Sequence, residues 1–167
     1  MNKKKMLICL CVFCLLFIFF NSSQVSTVSN ARSKEVVNEV VSVISKTQLG
    51  QAIINHISLA ELNLIIRKIA HAFEYFLLAL AICITLDYYR IEDKNIIIYS
   101  LFIIILIATF DEFFQLFIQD RNSSVKDVLI DFSGGIIANI LFFIFSTPRG
   151  RHIERKQYGS IRNKKSQ

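Results

Sequence analysis

The sequence has no tryptophan, one proline and five glycines in 167 residues. Its proline, Pro148, follows the last long apolar run, so none of those runs is broken by one. There is no Gly-rich phosphate loop, no Ser-nucleophile motif and no paired metal motif, which removes the common signatures of nucleotide, acyl and metal-dependent hydrolysis. No internal repeat is present. The four cysteines, Cys9, Cys11, Cys14 and Cys83, all fall inside apolar runs. Cys11-x-x-Cys14 has the spacing of a redox or zinc pair, but no histidine or charge stands near it to stabilise a thiolate. All four therefore read as small buried hydrophobes. No extracellular disulfide framework is visible, and no cysteine follows a small residue as in a lipoprotein anchor.

What is abundant is hydrophobic sequence, 53% of the chain, in long runs. Met6–Phe20, Ile65–Leu86, Ile96–Ile118 and Val128–Phe145 are each long enough to cross a bilayer as a helix. The fold class that follows is an all-α membrane protein, a small bundle of about four transmembrane helices, with no room for a separate soluble enzyme domain. Lys3, Lys4 and Lys5 precede the first run, and Arg149, Arg151, Arg155, Lys156, Arg162, Lys164 and Lys165 follow the last. By the positive-inside rule both termini are cytoplasmic. Arg67 and Lys68 then lie on the outer side against that rule, which marks them as site residues.

The chain divides into an N-terminal transmembrane helix, 1–22, which also has the form of a signal anchor; an extracytoplasmic amphipathic segment, 23–61; a core of three transmembrane helices, 62–146; and a basic cytoplasmic tail, 147–167. Ser29-x-Ala31 resembles a signal-cleavage site but lies far from the apolar run. Asn21–Asn30 is polar and reads as a loop. Val36, Val37, Val40, Val41 and Ile44 recur at helical spacing, opposite Lys34, Glu35, Glu39 and Lys46, and predict an external amphipathic helix that caps the bundle. Gln48-Leu49-Gly50 reads as a break, and Ala52–Glu61 as a short helical piece leading into the second span. Positive-inside topology accounts for the basic tail, so no nucleic-acid partner is assigned.

Charged groups interrupt the outer ends of these spans. They are Arg67-Lys68-x-x-His71-x-x-Glu74-Tyr75, Asp111-Glu112-x-x-Gln115, Arg121, and Asp127-x-x-x-Asp131. Each such group costs about 2.5–3.5 kcal/mol at the centre of a membrane helix, so several are retained only if they meet one another or line a wet cavity. At about 1.5 Å rise per residue, His71 lies roughly 9 Å and Glu74 about 13 Å below the outer start of their span. Asp111, Glu112 and Gln115 reach the same level from the opposite chain direction, and Asp127 and Asp131 descend to it again. One polar site built from three helices is expected. Below it, Gly134, Gly135 and Ala138 offer a flat face for close helix packing.

The motifs Arg67-Lys68-x-x-His71-x-x-Glu74-Tyr75-x-x-Leu78, Asp111-Glu112-x-x-Gln115-x-Phe117, Arg121 and Asp127-x-x-x-Asp131-x-x-Gly134 resemble the VanZ-like family of bacterial membrane proteins, over roughly Asn21 to Phe145. The resemblance implies a multi-pass plasma-membrane protein linked to glycopeptide resistance, in particular to lipid-tailed, teicoplanin-type compounds. The family pattern usually has Asn where this chain has Asp131, and Gly where it has Ala138. Asp131 therefore adds negative charge to the site.

Three functions compete. In the first, Arg67, Lys68 and Arg121 hold the phosphate or carboxylate of an envelope lipid, a lipid-linked wall precursor or a lipoglycopeptide. Glu74, Tyr75, Asp111, Gln115 and Asp131 then position those cations or contact the ligand. In the second, the protein is a membrane-embedded hydrolase or transferase, with His71 as general acid or base, Glu112 or Asp127 orienting it, and Arg121 stabilising an anionic transition state. In the third, the same groups are an interhelical polar network without a ligand, to which Tyr75 and Gln115 are most readily conceded. His71, Glu74, Glu112, Asp127 and Asp131 supply enough ligand atoms for a divalent ion. A second helical His/Glu pair is missing, and Arg67, Lys68 and Arg121 compete for the carboxylates. No metal site and no cofactor are assigned. Membrane lipids are the expected partners, and the oligomeric state is left open.

Overall fold

The computed structural model describes residues 2–24, 26–48, 51, 56–118, 121 and 123–146. Among the described residues, five helices run in chain order: α1 Lys3–Ser22, α2 Ser26–Ile44, α3 Leu59–Tyr88, α4 Asp93–Gln115 and α5 Val125–Phe145. There is no strand among the described residues. Four of the helices, α1, α3, α4 and α5, are long and apolar enough to cross a membrane, as the hydropathy pattern predicts. The expectations for the basic tail and for Leu49-Gly50 lie outside the described residues, as do residues 52–55 of the expected short helical piece. The reading of Asn21–Asn30 as a loop is corrected: α1 runs on to Ser22 and α2 begins at Ser26. Polarity there marks the end of the apolar run, not the end of helix.

α3 is the central element and packs against α1, α2, α4 and α5. Its ends are set locally. Ser58 and Glu61 form a capping box: the Ser58 hydroxyl accepts from the Glu61 N–H, and the Glu61 carboxylate accepts from the Ser58 N–H at 2.9 Å. At the other end the Arg90 N–H donates to the Asp87 carbonyl at 2.9 Å, and the Ile91 N–H to the Leu86 carbonyl at 3.1 Å. This is a Schellman stop. Arg90 takes the left-handed conformation such a stop requires, at φ 62°. It turns the chain directly into α4.

The core holds Ile18 of α1, Tyr75, Leu78, Ala79 and Ile82 of α3, Ile104 and Ala108 of α4, and Ala138 of α5. α5 approaches α3 most closely at Gly134, where an added Cβ would stand 2.0 Å from the Ala72 carbonyl oxygen. Small residues permit that approach, as their spacing predicts. Farther down, Asn139 of α5 donates to the Ser100 hydroxyl of α4 at 3.1 Å and to the Gly135 carbonyl at 2.9 Å, so this buried amide is paired. Cys83 is buried beside it, and Cys11 and Cys14 pack on the core, but Cys9 is exposed on the bundle surface. The expectation that all four cysteines are buried is corrected at Cys9.

α2 lays Val37, with Val40, Val41 and Ile44 partly covered, against the bundle and turns Lys34, Glu35 and Glu39 away, while Val36 stays exposed and Lys46 lies just past the helix end. Its amphipathic pattern is thereby explained as packing on α3.

Candidate functional site

The ends of α1 and α4 and the beginnings of α3 and α5 meet at one end of the bundle. This end gathers the charged groups. Asp111 is fully buried, and Glu112, Gln115 and Asp131 nearly so. A chain of hydrogen bonds links Asp111 and Gln115 to α1 and to the α4–α5 connection. Ser22 donates to Asp111 Oδ2 at 2.7 Å, Gln115 donates to the same oxygen at 3.0 Å, and Arg121 donates to Gln115 Oε1 at 3.1 Å. Arg121 also donates to the backbone carbonyls of Gln24 at 3.1 Å and Asn21 at 3.3 Å. Asn21 in turn donates to Glu74 Oε1 at 2.8 Å.

α1 is thus part of the site, and the expectation of three contributing helices is corrected to four. The omission of Asn21 and Ser22 has a plain cause. They are the first polar residues after an apolar run, which is also what a loop looks like. The two further helical residues beyond Phe20 place them against Glu74 and Asp111.

Two predicted acidic residues have partners other than His71. Lys68 forms an ion pair with Asp127. Glu112 Oε2 accepts from the Ser124 N–H at 2.8 Å, joining the end of α4 to the N-cap of α5. The imidazole instead has Glu74 beside it, with His71 Nδ1 3.8 Å from Glu74 Oε2. This role of Glu112 is testable. Glu112→Gln keeps an oxygen for the Ser124 N–H and is expected to leave thermal stability in micelles within about 0.5 kcal/mol, whereas Glu112→Ala orphans a part-buried donor and is expected to cost about 1–3 kcal/mol. Equal losses for the two would mean that the charge, not the hydrogen bond, is what Glu112 supplies.

Two cavities open beside this network. The smaller, of about 20 Å³, is lined by Arg67, Lys68, His71, Glu112, Gln115, Arg121, Asp127 and Asp131 together with Ile130. It has room for about one water molecule. The larger, of about 290 Å³, lies between α1, α2 and α3. Phe17, Val36, Ile66 and Ala70 form its apolar wall, and Asn21, Gln24, Ser33, Arg67, His71 and Glu74 its polar one. Arg67 and His71 line both. Tyr75 and Asp111, expected to touch a ligand, line neither; Tyr75 is fully buried in the core.

The cations are unevenly neutralised. Lys68 has Asp127. Arg121 has only neutral acceptors among the described residues, and Arg67 has no hydrogen bond or ion pair among them. Burial, and then the neighbouring Arg67 charge, lower the pKa of Arg121 from its ordinary value. Arg67 and Arg121 line one space together with Glu112, Asp127 and Asp131, and Arg67, which faces the wider cavity as well, is the cation placed to take an oxyanion there.

No curated protein and no solved structure matches the chain. A family model described as VanZ/LLP1 matches residues 7–146, which takes in α1 from Leu7 onward and every residue of the polar end. With its four membrane-length helices, the chain belongs to the VanZ-like family of membrane proteins.

Proposed function

We propose that the protein binds an amphiphile with an anionic headgroup at the outer leaflet of the bacterial plasma membrane, with both chain termini in the cytoplasm. The ligand class is an envelope lipid, a lipid-linked wall precursor or a lipid-tailed glycopeptide, and the outcome is a contribution to teicoplanin-type resistance. The observation that carries this reading is the shared wall of the two cavities. Arg67 stands between a small polar cavity with Arg121 on its other side and a wider one faced by Phe17, Val36, Ile66 and Ala70. A phosphate held by the Arg67 guanidinium in the wider cavity, with its chain along the apolar wall, matches that cavity in size and chemistry, and Arg121 adds positive charge from the small cavity, which has room only for a water.

The test compares a polyprenyl phosphate with the polyprenol of the same length, each titrated against the purified protein in detergent micelles. The phosphate is expected to bind at least about tenfold tighter, and Arg67→Ala to erase the difference. Equal affinity for the two ligands would remove the anionic headgroup from the proposal.

A further inference from the structure

His71 of α3, Asp111 of α4 and Asp131 of α5 come from three spans, yet each offers a ligand atom within 4.8 Å of the others. Around an ion with metal–ligand distances of about 2.1 Å, tetrahedral ligand atoms stand about 3.4 Å apart. Small side-chain rotations therefore close the set. Asp111 was absent from the ligand set drawn from the sequence, because adjacent Asp111 and Glu112 point about 100° apart on a helix and spacing alone does not say which one faces His71.

A cluster of carboxylates alone would carry nothing. Here three further observations point to a missing positive partner. Asp111 is fully buried, and its Oδ1 has no hydrogen-bond donor among the described residues, although Oδ2 has two. The hydroxyl of Tyr75, also fully buried, has no partner either, and it lies among Glu74, Asp111, Glu112 and Asp131. His71 Nδ1 and Glu74 Oε2, 3.8 Å apart, are likewise buried without a hydrogen bond among the described residues. Native interiors rarely leave so many polar atoms of one cluster unsatisfied.

The charge count agrees. Glu74, Asp111, Glu112, Asp127 and Asp131 face Arg67, Lys68 and Arg121, five acids against three bases, an excess of two negative charges. The competition expected from the bases is diverted. Lys68 is held by Asp127, and Arg121 is turned to Gln115 and two carbonyls.

We propose that His71, Asp111 and Asp131 bind one divalent cation, and that the small cavity against His71 and Asp131 admits a water to complete its shell. One imidazole with two carboxylates suits Zn²⁺ or Mn²⁺, and the general affinity order makes Zn²⁺ the tighter of the two. Such an ion ties α3, α4 and α5 together beneath the arginines. The site stands apart from the amphiphile reading and does not depend on it.

The experiment uses the full chain in detergent micelles, stripped with a chelator and then dialysed against micromolar Zn²⁺. The wild type is expected to retain one equivalent, and so is the Cys11→Ser/Cys14→Ser double variant. Asp131→Asn, which keeps the shape and loses the charge, and His71→Gln are expected to bind at least about tenfold more weakly. The helical signal and the elution volume show whether each variant is folded. Mn²⁺ bound to the wild type provides a second readout that needs no variant: pulsed electron paramagnetic resonance is expected to show modulation from a directly bound imidazole nitrogen. An ion that is absent, that survives Asp131→Asn unchanged, that leaves with the cysteines, or that shows no nitrogen coupling overturns the site. Polyprenyl phosphate binding after chelation is scored separately, so failure of the metal site and failure of the lipid reading are distinguishable.

Discussion

Gly134→Ala is expected to destabilise the bundle more than any other single added methyl group. The new Cβ would stand 2.0 Å from the Ala72 carbonyl oxygen and 2.9 Å from its carbon, and both are backbone atoms of α3. Neither can rotate away, so the two helices must separate. Overpacking of this kind costs about 3 kcal/mol, and the better helix propensity of alanine returns only about 1 kcal/mol. A net loss of about 2 kcal/mol is expected in unfolding titrations in micelles. Gly135→Ala is the control. Its Cβ meets Ile104 Cγ2 at 2.8 Å, a methyl group on a buried, χ1-restricted side chain, so a small shift is still needed, but no backbone atom stands in the way. That variant is expected to lie within about 1 kcal/mol of wild type. Equal losses at the two positions would show that helix separation is not the cause. Because Ala72 adjoins His71 and Gly134 lies one turn from Asp131, the same methyl group is expected to widen the polar site and weaken ligand binding.

Arg121→Ala is expected to remove teicoplanin protection and to leave vancomycin sensitivity unchanged, in cells matched for the amount of protein in the membrane. The guanidinium spans Gln115, Asn21 and Gln24 through three hydrogen bonds while its charge faces the small cavity. Losing the charge is expected to lower polyprenyl phosphate affinity by at least about tenfold. Arg121→Lys separates the two contributions. Lysine restores a positive charge but not the planar fork, so it is expected to recover part of the protection. Full protection by the alanine variant would exclude Arg121 from the ligand site. Loss of the alanine and lysine proteins from the membrane would instead identify Arg121 as a clasp between α1 and the α4–α5 connection, with no ligand needed.

The spans and the level of the site were legible because both rest on one-dimensional signals. Apolar runs fix the helices, and Glu74, Gln115 and Asp131 reach a common depth from alternating chain directions. Partners were less legible. Arg121 bonds to carbonyls of Asn21 and Gln24, and backbone acceptors carry no residue type for a sequence to display. Lys68 with Asp127 and Glu112 with Ser124 depend on rotations of α3, α4 and α5 that hydropathy leaves free. His71, Asp111 and Asp131 meet for the same reason, one helix apiece. Tyr75 shared a motif with His71 and Glu74 but faces the core, because one residue along a helix turns a side chain by about 100°.

α3 is 30 residues long. At about 1.5 Å per residue it measures about 45 Å, against a hydrocarbon layer of about 30 Å. Counted up from Tyr88, the hydrocarbon ends near Lys68, and about ten residues from Leu59 onward stand in the headgroup zone. On the proposed reading, Arg67 and Lys68 would then meet phosphates at the depth where phosphates already reside. A lipid entering sideways between α1 and α3 would keep its headgroup at its own level throughout, so the barrier to loading the site is the parting of side chains and not the dehydration of a charge.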